Sequence, residues 1–289
     1  MLKRSLAASA VLVLLAGCGT DATGQPSAAA SPKQDAKQRI EAAKADCLKG
    51  KGFTYIPYVD QLSMSDDARK AFFEGDYQAL KTRRSKYGFE VFARFVYPEE
   101  MGSPEVKPDN APVNPNFAIR NDLSAAQQKS YDRASRGCEG QAITQVTGKV
   151  VKSFEDRAEQ VNALIAQTQA RELDGDPQIV ELASAMADCM TGKGYQIAST
   201  KPTDMSVWGG KKFEAEKTEI AKRDDIPDDD LPKGQYFEPS HLAPAVARRY
   251  LDREIKVALD DLECGRGFYA AYVPKAHTLE RQVSEQFGQ

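Results

Sequence analysis

The sequence predicts a mainly α fold with minor β, in which two duplicated, disulfide-stapled helical modules are joined by a long amphipathic helix. Three observations predict it. The first is a repeat: residues 43–52 read AKADCLKGKG and residues 185–194 read AMADCMTGKG, seven identities in ten positions at an offset of 142. The next residue is aromatic in both copies, Phe53 and Tyr195. Weaker matches keep the same order: Phe73-Glu74 with Phe213-Glu214, then Leu123, Ala126 and Tyr131 with Leu242, Ala245 and Tyr250. Each copy closes on a second cysteine followed by glycine, Cys138 with Gly140 and Cys264 with Gly265. Self-similarity at one period marks duplicated structural units. The second observation is the cysteines. Cys47, Cys138, Cys189 and Cys264 allow three pairings, and duplication favours one bond inside each copy, Cys47 with Cys138 and Cys189 with Cys264. On the chain-entropy model each closure contributes roughly 4–5 kcal/mol, comparable with a small domain's whole net stability. Third, apolar residues recur at helical spacing, most clearly Val146, Val150, Phe154, Val161 and Ile165 within residues 141–173.

The elements follow in order. Lys3 and Arg4 precede an apolar run at residues 6–15, which is short for a permanent membrane helix and suits a cleaved export signal. The order Leu15-Ala16-Gly17-Cys18 resembles the bacterial lipobox, in which the cysteine is acylated and becomes the first mature residue. Residues 1–17 then form a lipoprotein signal peptide and Cys18 the lipidation site. Residues 18–37, rich in Ala, Ser, Gly, Thr, Gln and Pro, read as a flexible tether. Module 1, residues 38–140, opens with a helix over 38–48 that Gly50 and Gly52 stop. An aromatic extended stretch at 53–59, helices over 66–73 and 76–86, and an alternating strand at 89–97 come next. Five prolines make 98–115 a long surface loop, after which Ser124 and Gln127 form a capping-box signature for a helix towards Cys138. The connecting helix, residues 141–173, ends at Asp174-Gly175-Asp176-Pro177. Module 2, residues 174–289, repeats the design: a helix over 179–190 before Gly192 and Gly194, an extended stretch at 195–199, a turn-rich region at 201–210, and a helix over 212–222. An acidic loop at 224–230 and a long helix over 244–263 complete it.

Composition narrows the chemistry. Lys and Arg number 39 against 42 Asp and Glu, a formal net charge of −3, which argues against a nucleic-acid binder. Only two histidines are present, which removes most routes to acid–base or metal chemistry. No two of the four module cysteines have zinc-ribbon spacing, and there is no C-x-x-C redox motif. Asp224, Asp225, Asp228, Asp229 and Asp230 match no calcium loop and read as a solvated acidic loop, while Asp174, Asp176 and Gln178 start like one but have Ile179 where the turn glycine belongs. His241 and His277 lack the spacing of a known triad. Trp208 and the tyrosines at 55, 58, 77, 87, 97 and 131 read as core aromatics before sugar-stacking or groove residues. Gly-Lys-Gly in each copy follows a helix, so it reads as a helix C-cap with a cation at the negative helix end and not as a phosphate loop. No catalytic, cofactor-binding or metal-ligating residue is expected.

A helix ending A-D-C-x-x-x-K-G-[FY] (residues 47–53 and 189–195), then Lys86-Tyr87-Gly88-Phe89, then L-S-x-A-x-x-x-x-Y-x-x-A over residues 123–134, and a later Cys-x-Gly, resembles secreted lipoproteins of actinobacteria with duplicated Cys-x4-Gly-aromatic modules. The likeness covers most of residues 38–270. It implies location and architecture, and brings no activity and no catalytic residue. The expectation is a lipid-anchored protein on the extracytoplasmic face of the cell membrane, acting as a non-catalytic binding or interaction module of the envelope. Its partners would be the membrane, through acylated Cys18, and an envelope protein or cell-wall polymer. The alternative is an envelope hydrolase or solute-binding component with its site between the two modules.

Overall fold

A computed structural model describes residues 32–59, 65–101, 113–223 and 242–289. Among the described residues the fold is all-α, 74% helix and 0% strand, which corrects the expectation of minor β. The reason lies in where the extended backbone groups find partners. In residues 53–59 the Ile56 N–H donates to Asn116 Oδ1 and its carbonyl accepts from Asn116 Nδ2, both at 2.8 Å, while the Tyr58 N–H donates to Glu41 at 3.0 Å. In residues 89–97 the Val91 and Phe92 N–H groups donate to Glu254, and the chain then makes a helical turn at Ala93–Val96. The Tyr195 N–H closes a helix cap on Met190, and the Gln196 carbonyl accepts from the Trp208 indole. Side chains and caps take the groups that a strand ladder would have used.

Two disulfide-linked helix pairs organise the molecule. In the first, α1 (Pro32–Gly50) lies antiparallel to α6 (Ala125–Thr147): Cys47 is bonded to Cys138, Lys44 pairs with Glu139 at 2.9 Å, and Ile40 packs with Ala142 and Ile143. The last six residues of the expected tether, 32–37, therefore belong to α1. In the second pair, α8 (Pro177–Gly192) and α11 (Pro244–Cys264) are joined by Cys189–Cys264. Both bonds have a Cα–Cα separation of 5.5 Å.

The repeat is written most clearly in the way α1 and α8 end. Phe53 N–H donates to Leu48 C=O and Gly52 N–H to Lys49 C=O; 142 residues on, Tyr195 N–H donates to Met190 C=O and Gly194 N–H to Thr191 C=O. Gly52 and Gly194 sit at φ 83° and 89°. This is one Schellman cap made twice, and its left-handed position needs glycine.

The region expected to be one connecting helix is two. α6 runs through to Thr147 and stops at Gly148, whose φ of 74° is left-handed. The chain then turns, and α7 (Phe154–Glu172) starts at a Ser153 cap. Val150 and Phe154, which continue the apolar period on paper, are exposed at that turn.

The two copies also interlock. After α2 (Asp66–Arg69) and a π-helical turn at Lys70–Glu74, α3 (Tyr77–Tyr87) and α4 (Ala93–Val96) leave the first copy and pack on α11, while the π turn packs on α12 (Arg266–Gln286). Val91, Phe92 and Ala93 share a core with Phe213 of α10 (Trp208–Ala221) and with Leu251 and Val257 of α11. A second core joins α8, α9 (Pro202–Met205) and the first half of α12 through Met186, Met190, Met205 and Phe268. The far end of α12 returns the exchange, burying Val283 and Phe287 against Ile40, Ile143 and Val161.

Candidate functional site

The apolar stripe of α11, formed by Ala247, Leu251, Ala258 and Leu262, carries two fully buried carboxylates in register with it, Glu254 and Asp261. Seven residues are about two helical turns, so both point into the same seam against α3 and residues 89–92. Glu254 accepts the Val91 N–H on one oxygen and the Phe92 N–H on the other, each at 2.9 Å. Burial pushes this carboxyl up to about 7, with the backbone donors pulling the other way. Asp261 Oδ1 accepts from Arg84 and, at 2.6 Å, from the Tyr269 hydroxyl; Arg84 also donates to the Ala258 carbonyl at 3.1 Å. The other oxygen of Asp261 is buried without a hydrogen-bond partner. Burial pushes the Asp261 carboxyl up, against the pull of Arg84. These acids hold loops and helices together from positions fully shielded from solvent; their geometry is that of struts.

A smaller polar group lies at the end of α8. Lys193 Nζ pairs with Asp260 at 2.9 Å, and the Tyr195 hydroxyl donates to the other oxygen of Asp260 at 2.6 Å. The Tyr195 hydroxyl and the Lys193 cation hold Asp260 down to about 2; burial, with Asp260 beside it, pushes the Tyr195 phenol up to about 12. The lysine of the second Gly-Lys-Gly is thus engaged by a carboxylate at a helix cap.

The structure disperses most of the other residues singled out by sequence. His277 stacks on Phe73 at 3.9 Å. Trp208 donates to the Gln196 carbonyl at 3.2 Å and meets Tyr195 edge-on. Tyr131 packs edge-on against Phe53, Tyr87 against Tyr97, and Tyr77 beside Arg266, in separate parts of the fold. Tyr55 donates to Glu41 at 2.8 Å, and Tyr58 is held at the same carboxylate by its N–H. Asp174 accepts from Thr203, and Asp176 caps α8 and pairs with Lys275 at 2.6 Å. Cys18, Asp224, Asp225, Asp228, Asp229, Asp230 and His241 lie outside the described residues. Among the described residues no group of three or more His, Cys, Asp or Glu is placed to hold a metal ion, and no helix is long and apolar enough to cross a membrane.

Two concavities bear on binding. One, of about 350 Å³, is lined by Lys37, Glu41, Tyr58, Arg157 and Gln289, so both copies and the start of α7 contribute to it. Another, of about 300 Å³, lies between Phe53, Ile119, Leu123 and Tyr131. On the neighbouring surface α5 (Asn116–Asn121) exposes Phe117, and Ile56 is tied beside it by Asn116.

Comparison with known proteins gives no match: no family model fits the sequence, and no curated protein or solved structure is similar to it.

Proposed function

We propose that this protein is a lipid-anchored extracytoplasmic lipoprotein that serves as a non-catalytic binding or interaction module of the cell envelope. The observation that carries the reading is the run Leu15-Ala16-Gly17-Cys18 behind a basic and then apolar segment. Two disulfide-closed helix pairs support it, because such bonds persist in oxidising compartments outside the cytoplasm. The buried titratable groups of the described residues support the non-catalytic half: Glu254, Asp261, Arg84 and Tyr269 are consumed in holding the fold.

The test has two parts. The intact mass of the protein purified from bacterial membranes should show a diacylglyceryl-modified Cys18 as first residue, and Cys18→Ser should release the chain from the membrane; an unmodified wild-type mass overturns the anchor. Cross-linking in intact cells should then join the protein to an envelope protein or a wall polymer. The second reading, a solute-binding component, rests on the 350 Å³ concavity shared by both copies. A small molecule retained through native purification, with no envelope partner captured, favours it over the first.

A further inference from the structure

We propose that the end of the molecule where α1 begins docks on an anionic lipid bilayer, with Val150 and Phe154 entering the interface. The proposal rests on the lipoprotein reading for what brings the membrane close, and on separate observations for which surface meets it.

Three helix ends converge there on the first half of α1. Gly288, just past α12, packs so closely on the first pair that a Cβ on it would lie 2.4 Å from Ile40 and 3.2 Å from Thr147. Lys149, just past α6, reaches Gln286 at 3.2 Å. Arg157, in the first turns of α7, donates to the side-chain oxygen of Gln289 at 3.0 and 3.1 Å. The first half of α1, the end of α6, the start of α7 and the end of α12 thus share one face.

That face presents apolar side chains on a fixed support. Val150 is 75% exposed and Phe154 54%, whereas Val151 between them is buried. The turn that carries them is tied down: the Val151 N–H donates to Thr144 Oγ1 at 3.3 Å, the Val150 carbonyl accepts from Gln160 at 3.1 Å, and Ser153 caps α7. Gly140 makes the support possible, since a Cβ there would lie 2.6 Å from the Lys152 backbone. A valine and a phenylalanine held outward beside the exposed Lys152, with the partly buried Lys149 and Arg157 flanking it, have the composition of an interfacial membrane contact: apolar groups for the acyl boundary and cations for the headgroups. The acids on the same turn are Glu155 and Asp156, and Asp156 is occupied by the Lys152 N–H and by Gln160.

The occupant is argued from chain length. Thirteen residues lie between Cys18 and Pro32, where α1 starts. A chain of that length spans at most about 50 Å when fully extended. An acyl group on Cys18 therefore holds the start of α1 within about 50 Å of the headgroups, and this end of the molecule is the one brought nearest them.

The test uses the full-length acylated protein on vesicles, with Phe154→Trp as reporter and wild-type Trp208 as background. Emission from the Phe154→Trp protein should fall about twofold on phosphatidylglycerol vesicles with brominated acyl chains, because interfacial aromatics lie about 5–10 Å into the headgroup boundary. It should fall much less on phosphatidylcholine vesicles or at high salt, and adding Val150→Asp or Lys152→Glu should abolish the drop while leaving thermal unfolding unchanged. No quenching at saturating phosphatidylglycerol overturns the proposal, as does quenching equal in the two lipids or unaffected by Val150→Asp. Emission shielded by pairing of two copies, seen as a dimer on gel filtration, overturns it too. Flotation with vesicles and the intact mass report the anchor independently: flotation without quenching refutes this surface and leaves the anchor standing. Quenching by a chain whose Cys18 is unmodified supports the surface and refutes the anchor.

Discussion

Glu254 holds Phe92 from 162 residues away, its buried carboxylate accepting the Phe92 backbone N–H at 2.9 Å while its other oxygen takes the N–H of Val91. Glu254→Ala strands two buried donors and opens a void beneath Phe92; it should destabilise the protein by about 3–5 kcal/mol. Glu254→Gln keeps the volume and one acceptor, and should lose about 1–2 kcal/mol at acidic pH. Urea unfolding of the two variants checks both values.

The same residue sets a pH dependence. Its carboxyl titrates near 7 in the fold, above its unfolded value, so the native state binds the proton more tightly between those pH values. Glu254 therefore favours the fold most at acidic pH, and that contribution is lost as pH rises towards and through 7, by on the order of 3 kcal/mol. Wild type compared with Glu254→Gln between pH 4.5 and pH 8 should show this difference in slope; parallel curves would refute it.

Asp260 acts in the opposite sense. Held down to about 2 by Tyr195 and Lys193, it stabilises the fold above the ordinary aspartate range, and its contribution disappears as pH falls through 2. Asp260→Asn should cost about 1–2 kcal/mol at pH 7 and almost nothing at pH 2. Thermal unfolding at the two pH values gives the comparison.

Arg84→Ala leaves the fully buried Asp261 without its cation and should destabilise by about 3–5 kcal/mol. Tyr269→Phe, removing one donor to the same oxygen, should cost about 1–2 kcal/mol. In a double-mutant cycle the two losses should not add, since both partners serve a single acceptor.

The duplicated caps allow a paired comparison. Gly52→Ala and Gly194→Ala each force a side chain into the left-handed region, and each should cost about 1 kcal/mol. A large loss at one position and none at the other would show that the two caps do different work.

Much of the local grammar was readable from residues alone. Ser124 with Gln127 forms its capping box, and Gly52 and Gly194 stop their helices. The extended aromatic stretches misled because sequence does not say where a backbone N–H will find its acceptor; Asn116, Glu41 and Glu254 supply acceptors from afar. The break at Gly148 was masked by Val150 and Phe154, whose spacing continues a helix while their side chains face outward. The buried acids left a usable signal: Glu254 and Asp261 fall on the stripe of Leu251, Ala258 and Leu262, and charges in register with an apolar stripe are candidates for burial. Their partners, Arg84 and the 91–92 backbone, could not be read, because nothing local ties α3 to a helix more than 150 residues away.

The interlocked packing has a consequence for how the chain matures. Synthesis delivers the polypeptide from its N-terminus, so α3 and α4 appear long before α11, the surface they need. Neither copy closes its core alone, and Val91 and Phe92 stay unsheltered until the last helices arrive. The disulfides obey the opposite schedule. Among the four module cysteines, first and second to emerge are partners, then third and fourth. Oxidation in order of appearance therefore yields both native bonds with no reshuffling, and two covalently fixed helix pairs await the burial that only a finished chain allows.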